Sequence, residues 1–301
     1  MTRGSTGSVE TLPAAPSLAT TFLKAVLTGR GRSGRGPLPD ATLRLADLAV
    51  DREHLSTYQQ VCGRGLSDVL PHTYPHVLGF PLQAALMARG DFPLKLAGLV
   101  HVENVITVHR RLCVEDRLTL DVHAEDLRPH AKGMVVDLVT AVDSGGRRVW
   151  DGRSTYLARG RAHPDAPSGD PTPPTPTGPP VARWRLPGDL GRTYASVSGD
   201  VNPIHLHPLT AKAMGFPRAI AHGMWTYART LAALGPAGDG ASTSHVWFRK
   251  PVLLPGSVEL VLDTAAPDVP GRLTAGLRSA SKPETEHLVL TLTPHAASPV
   301  V

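Results

Sequence analysis

The sequence predicts an α+β fold laid out twice, each time as an antiparallel sheet packed on a long helix. Three observations carry that prediction. First, a Pro-, Gly-, Ser- and Thr-rich stretch over 160–187, including Pro171-Thr-Pro-Pro-Thr-Pro-Thr-Gly-Pro-Pro180, divides the 301 residues into parts of similar weight. Such a stretch is extended and semi-rigid, as linkers are. Second, the two parts repeat each other. Sliding 57–81 onto 193–217 by a constant 136 superposes Thr57/Thr193, Tyr58/Tyr194, Val61/Val197, Gly63/Gly199, Leu70/Leu206, Gly79/Gly215, Phe80/Phe216 and Pro81/Pro217 without a gap. Third, each part runs from one helical stretch into consecutive strand-like runs with no helix between them. That order disfavours parallel βαβ units.

Residues 1–38 read as a leader, flexible where nothing ties it down. Leu18, Phe22 and Val26 give it an amphipathic turn of the kind transit peptides carry, but no dense Arg pattern precedes Arg30. A first domain follows over 39–160. Its helix is expected over Pro81–Arg89, with Pro in the first turn and Gly90 at the stop. Its strands are expected at 101–109, 117–124, 133–142 and 147–157, runs rich in Val, Leu and Thr. The linker covers 161–181 and the second domain 182–301. There Met224, Tyr227, Ala228 and Leu231 recur at helical spacing until Gly235-Pro236. Strands are expected at 245–252, 257–263, 271–279 and 286–293.

Composition excludes several classes. Hydrophobic residues at 41% support real cores, and no apolar run reaches membrane-span length. Two cysteines without paired spacing point to a reducing, cytoplasmic setting. The net charge of +5 is densest at Arg30, Arg32 and Arg35, in a Gly-rich stretch without interleaved aromatics. That is a solvated basic tail rather than a nucleic-acid surface.

The chemistry concentrates in one segment. Gly199-Asp200 ahead of Asn202-Pro203 is turn chemistry, and Pro203 holds Asn202 extended. Asp200 and His205 are thereby fixed on a stiff irregular loop. Pro208 starts a short helix that stops at Gly215, with His207 capping or flanking it. Gly223, eighteen residues after His205, is placed to open a helix whose first N–H groups are free and partly positive. Taken singly, Asp200 is a turn former and His205 a surface residue. Taken together, a carboxylate, an imidazole and a helix-start N–H are sufficient to move protons beside a carbonyl.

The segment Ser198-Gly-Asp-x-Asn-Pro-Ile-His205, followed by Gly215-Phe and Ile220-Ala-His-Gly-Met224, resembles the signature of the MaoC-like, (R)-specific enoyl-CoA hydratase (hydratase 2) family. Phe248-Arg-Lys-Pro-Val252 and Pro255-Gly256 extend the likeness. The two-part layout resembles the double hot-dog 3-hydroxyacyl-thioester dehydratases of actinobacteria over most of 40–300. The resemblance implies a long helix wrapped by an antiparallel sheet in each domain. It implies water addition or removal at C2–C3 of an acyl-CoA or acyl-carrier-protein thioester, with no metal and no redox cofactor. Asp200 and His205 would activate the water and the Gly223 N–H would bind the thioester oxygen. Ser198, Asn202, Pro203, Ile204, His222 and Phe248 would support the site or the substrate, although His222 serves equally well to fix the helix start. Hot-dog domains pair, and here both partners lie on one chain, with a homodimer of such chains left open.

His207 departs from the pattern, because many family members carry an acid there. The first copy departs further, with Arg64, Leu66 and Val69 in place of Asp200, Asn202 and His205. One active site per chain follows, and the degenerate half would shape the acyl channel. Two alternatives are a hot-dog thioesterase, which would drive water onto the carbonyl carbon, and a non-catalytic acyl-thioester binding subunit. The Gly-Asp-x-Asn-Pro-x-His loop speaks against the first and the intact second copy against the second. Elsewhere, His72, Tyr74 and His76 have metal-like spacing but too few ligands, and read as loop residues. Trp225 and Tyr227 read as central-helix residues, Tyr227 in its apolar set. Glu103 and Asn104 read as strand residues. Arg249 and Lys250 could meet the phosphates of the carrier arm or lie solvated.

Overall fold

A computed structural model describes residues 7–22, 36–96, 98–161, 163–166, 172–235, 239–263 and 271–295. The basic cluster at Arg30, Arg32 and Arg35, Val26 of the leader's amphipathic turn and part of the linker lie outside the described residues. The first half contributes β1 (Ser8–Thr11), β2 (Ala41–Ala49), β3 (Leu99–Val108), β4 (Arg117–His130), β5 (Gly133–Ser144) and β6 (Arg147–Arg159). The second contributes β7 (Ala182–Leu186), β8 (Ser242–Phe248), β9 (Gly256–Asp263), β10 (Leu273–Ser279) and β11 (Glu286–Pro294). One sheet results, in the order β1-β2-β4-β5-β6-β3-β8-β11-β10-β9-β7. Its two arms, 2-4-5-6-3 and 7-9-10-11-8, are the same order met from opposite ends. They join where β3 pairs antiparallel with β8, Val105 opposite His245. Two hot-dog domains thus share a continuous sheet.

Three strands and three helices escape the periodicity of the sequence; β1 lies in the stretch read as a leader and pairs parallel with β2, Ser8 opposite Ala41. β2 alternates cleanly, with Ala41, Leu43 and Leu45 buried between half-exposed neighbours, but Asp47 at φ 55 and a register shift after Leu45 break the run. β7 is only five residues long and borders the Pro-rich stretch. Helices α1 (Arg52–Val61) and α3 (Leu190–Ser198) open their respective halves. Both end at a left-handed glycine, Gly63 at φ 67 and Gly199 at φ 69, which is why those glycines recur at the 136-residue shift.

Beyond that point the repeat changes meaning. In the second half α3 is followed by α4 (Pro203–Leu206) and α5 (Pro208–Ala213), then by the central helix α6 (Gly223–Ala233). In the first half the central helix α2 spans Tyr74–Ala88, so it starts seven residues before the expected Pro81. Pro75 is the proline of its first turn, and Pro81 lies inside it. Gly79-Phe80-Pro81 is therefore mid-helix, whereas Gly215-Phe216-Pro217 follows α5 at a φ of 86 for the glycine. An interior proline removes one helix hydrogen bond. Helix α2 is buried on nearly every face by the sheet around it, and that packing outweighs the local penalty.

The core is shared. Tyr58, Tyr74 and Trp150 from the first half and Tyr194, Trp225 and Tyr227 from the second belong to one buried cluster. Trp225 Nε1 donates to the Val61 carbonyl at 2.9 Å, and Arg229 donates to the Gly63 carbonyl at 2.9 Å. His72 lies in the turn ahead of α2, as a loop histidine, but it is buried, with Nδ1 2.9 Å from Ser244 Oγ and Nε2 2.8 Å from Ser242 Oγ of the other half. His76 lies within α2, also buried.

These burials have a consequence for acid stability. Desolvation lowers His72 and His76 to about 4, lowers His101 and His222 well below the usual imidazole value, and lowers His205 and His287. An unfolded imidazole takes up a proton below about pH 6.5, and the folded one does not. Folding stability therefore falls as pH drops below about 6.5, and for His72 and His76 the fall continues to about pH 4, at up to about 1.4 kcal/mol per pH unit each. Asp200, raised by burial, works the other way. Thermal melting followed from pH 7.5 to 5 is expected to show a progressive fall in Tm, and a flat profile would refute it.

Candidate active site

The Gly199–His205 segment is built from short-range hydrogen bonds. Asp200 N donates to Ser198 Oγ at 3.2 Å, and Asn202 N donates to Asp200 Oδ1 at 3.1 Å. Asn202, extended at φ −56 and ψ 123, caps α4, with Pro203 in the helix's first turn. His205 therefore sits on a one-turn helix rather than on an irregular loop. His207 caps α5 through Nδ1, which accepts from Leu209 N at 3.2 Å. Ile204 packs with Ala211, Phe216 and Ile220 in a small apolar cluster that anchors α4.

The imidazole of His205 has a defined tautomer. Its Nδ1 is 2.8 Å from the Ile220 carbonyl, which only accepts, so Nδ1 carries the proton and Nε2 keeps its lone pair. His222, the N-cap of α6, stacks on His205 with ring centroids 3.7 Å apart. Its Nε2 donates to the Asp200 carbonyl at 3.0 Å and lies 3.8 Å from Asp200 Oδ2. Burial pushes His222 strongly down, so the stacked ring stays neutral beside His205. Burial also lowers His205, against the raising influence of Asp200 and the Ile220 carbonyl. It raises Asp200, against the His205 charge and the Asn202 N–H. The Asp200 side chain nonetheless keeps 25% exposure, and Asp200 lines the cavity described below.

Gly223 is the first residue of α6, so its N–H lacks a helical partner. A Cβ there would lie 3.1 Å from Phe248. Ser198, Asp200, Asn202, Ile204, His205 and His222 line one cavity of about 970 Å³, and Gly223 and Phe248 line it too. Pro203 is not part of that wall and acts through α4.

Asp200, His205 and His222 offer donor atoms within 4.8 Å of one another, a set numerous enough for a divalent ion. The two rings lie 26° from parallel, so their in-plane lone pairs run side by side instead of converging. His205 Nδ1 and His222 Nε2 are already held by carbonyls.

Sequence reasoning missed much of the wall. The first half supplies Phe80, Met87, Leu96, Leu99 and Leu157, and also the polar residues His76, His101 and Tyr156. From the second half, Tyr194 and Trp247 line the cavity. Tyr194 OH is buried without a hydrogen-bond partner among the described residues, and its identity with Tyr58 in the repeat was the available signal. Lys132, Arg159, Arg249 and Lys250 are exposed and also line the cavity, so they mark its mouth.

The corresponding place in the first half is filled. Arg64, which stands where the repeat would put Asp200, pairs with Asp239 of the second half. The hollow it borders, with Tyr58, His72 and Thr73, holds only about 10 Å³.

A helix start, an imidazole and a carboxylate gathered on one side of a double hot-dog define a class, and the chain belongs to the MaoC-like dehydratase family. The MaoC like domain matches residues 179–266, and the FAS1-like, dehydratase domain region matches residues 64–151. Among individual proteins, 3-hydroxyacyl-thioester dehydratase X of Mycobacterium tuberculosis is 40% identical over 227 residues, 74% of this chain and 80% of that protein. The crystal structure of HtdX from that organism superposes with a TM-score of 0.74 at 36% identity, covering 84% of this chain and 100% of that one. A MaoC-like dehydratase from Phytophthora capsici shares the fold, with a TM-score of 0.67 at 19% identity over 86% of this chain and 96% of that one.

Proposed function

We propose that this chain is a hydro-lyase that interconverts (R)-3-hydroxyacyl and trans-2-enoyl thioesters in fatty-acid metabolism, the acyl group being carried on CoA or acyl carrier protein. The observation that carries this reading is the neutral His205, its Nε2 lone pair free, beside Asp200 and the start of α6 on the wall of one large cavity.

In the hydration direction, His205 Nε2 takes a proton from a water held by Asp200. The oxygen attacks C3, and negative charge collects on the thioester oxygen. The Gly223 N–H, supported by the helix dipole, stabilises that charge. The pair then returns a proton to C2, and no proton is left over. Dehydration runs the same steps in reverse. The apolar wall from the first half holds the acyl chain, and the basic side chains at the mouth meet the carrier's phosphates. The reading includes a cytoplasmic setting, in keeping with two free cysteines, and a further homodimer of these already paired domains.

The test is loss of the conjugated enoyl absorbance when purified protein meets trans-2-enoyl-CoA thioesters across chain lengths. Free thiol release would point instead to a thioesterase, and binding without turnover to a carrier module. Gly223→Pro probes the oxyanion role directly. Proline suits the first helical position, and His222 at φ −63 and ψ 134 already has the extended backbone a following proline requires. The substitution removes one N–H and asks the Phe248 ring to yield a few tenths of an ångström. It is expected to lower kcat by about 10²–10³-fold with a smaller change in KM. An unchanged kcat would remove Gly223 from the mechanism.

A further inference from the structure

We propose that the half lacking the acid–base pair builds a second, polar subsite in the same cavity, and that it binds an oxygen substituent on the acyl chain beyond C3. The inference rests on the reading of the cavity as an acyl-thioester site. His76, His101 and Tyr156 line the cavity beside the apolar Phe80, Met87 and Leu99. Their rings form a row: His76 to His101 at 5.8 Å, then His101 to Tyr156 at 4.6 Å. His101 also meets Phe248 at 5.3 Å, and Phe248 is the ring against Gly223. The row therefore begins one ring away from the oxyanion position, on the side that belongs to the first half.

The hydrogen bonds already made within the row decide what it leaves over. Asn104 Nδ2 donates to Ser154 Oγ at 2.8 Å and lies 3.4 Å from His101 Nε2, and Ser154 Oγ is 3.5 Å from His76 Nδ1. In either tautomer the neutral His76 ring keeps Nε2 without a partner among the described residues, as an N–H donor when the proton lies there. Burial keeps it neutral. The Tyr156 hydroxyl donates to Gln83 Oε1 at 3.2 Å, and Gln83 is itself oriented by its Nε2 donating to Thr140 Oγ1 at 2.9 Å. The Tyr156 oxygen keeps lone pairs to accept. A ring nitrogen able to carry the proton and a phenol oxygen able to accept suit a hydroxyl, and the nitrogen in its N–H form suits a ketone.

A histidine needed only for packing is built differently a few residues away. Both ring nitrogens of His72 are engaged, at 2.8 and 2.9 Å. His76 has a single hydrogen-bond contact among the described residues, at 3.5 Å to Nδ1. Polar groups in an apolar channel are costly unless something partners them, and a substrate oxygen would do so.

The experiment measures binding of saturated acyl-CoA thioesters of equal length, plain or carrying one hydroxyl or keto group at successive positions beyond C3. Wild-type protein, His76→Phe, His76→Gln and Tyr156→Phe are compared by calorimetry. At one position the wild type is expected to prefer the oxygenated chain by roughly three- to tenfold for each hydrogen bond made. His76→Phe abolishes most of the preference, His76→Gln, which keeps a donor, restores part of it, and Tyr156→Phe, which removes only an oxygen, lowers it. A wild type that favours the plain chain at every position overturns the proposal, as does a preference unchanged in both His76→Phe and Tyr156→Phe. Turnover of plain enoyl-CoA by the wild type is measured alongside; its failure would count against the hydro-lyase reading, while the binding preference still decides the subsite.

Discussion

His205→Ala is expected to lower kcat/KM for a trans-2-enoyl-CoA by about 10²–10⁴-fold, the usual reach of a positioned general base. Asp200→Asn is expected to fall in the same range. It keeps the shape of the side chain and an oxygen for the Asn202 N–H, but loses the charge. The double variant should be little worse than either single one, because groups that act as a unit are not additive. Stability separates this outcome from unfolding. Burial raises Asp200, so its ionised form is a cost to the folded protein near neutral pH. Asp200→Asn should melt no lower than the wild type. The pH profile gives a further check. His205 acts while neutral, and burial lowers its protonation range, so kcat/KM should hold as pH falls past 6.5 and decline only below it. Wild-type turnover in either single variant would remove that residue from the chemistry.

Gly191→Ala is expected to disable the site from behind. Gly191 lies in α3, and a Cβ there would sit 1.9 Å from the His205 carbonyl oxygen and 2.9 Å from its carbonyl carbon. Both are backbone atoms and cannot swing aside. The one-turn helix that carries His205 must move away, and the 2.8 Å bond from Nδ1 to Ile220 strains with it. Overpacking of this kind typically costs about 1–3 kcal/mol of stability, and a 1 Å misplacement of a catalytic group costs about 10²-fold in rate. A lowered Tm together with a kcat loss larger than the KM change is the expected result. A fully active, equally stable Gly191→Ala protein would show that α4 adjusts freely.

How much of this was legible in the chain depends on the range of the interactions involved. The Gly199–His205 segment was readable because its bonds run between neighbours: Ser198 to Asp200, Asp200 to Asn202, Asn202 to Ile204. Turn residues announce such bonds by type. The strands from β3 to β6 and from β8 to β11 were readable because each is a run of apolar and β-branched residues bounded by breakers. The Gly-Phe-Pro repeat misled for the same reason. The three letters match without a gap, yet Gly79 to Pro81 lie inside α2 while Gly215 to Pro217 lie ahead of α6. The second half adds α4 and α5 between its opening helix and its central helix, and identity of residues does not record that insertion.

By itself, then, the sequence determined the plan of two sheet-and-helix halves, the turn that holds Asp200 and His205, and the absence of that pair from the first half. Only the tertiary structure decided that the halves close into one sheet through β3 and β8, that His222 stacks on His205, and that a half without the acid–base pair walls the cavity with Phe80, Met87, His76 and Tyr156. The physical reason is distance along the chain. A turn is selected by the conformational preferences of a few adjacent residues, whereas a cavity wall exists only after packing has brought residues such as His76 and Asp200 to the same space.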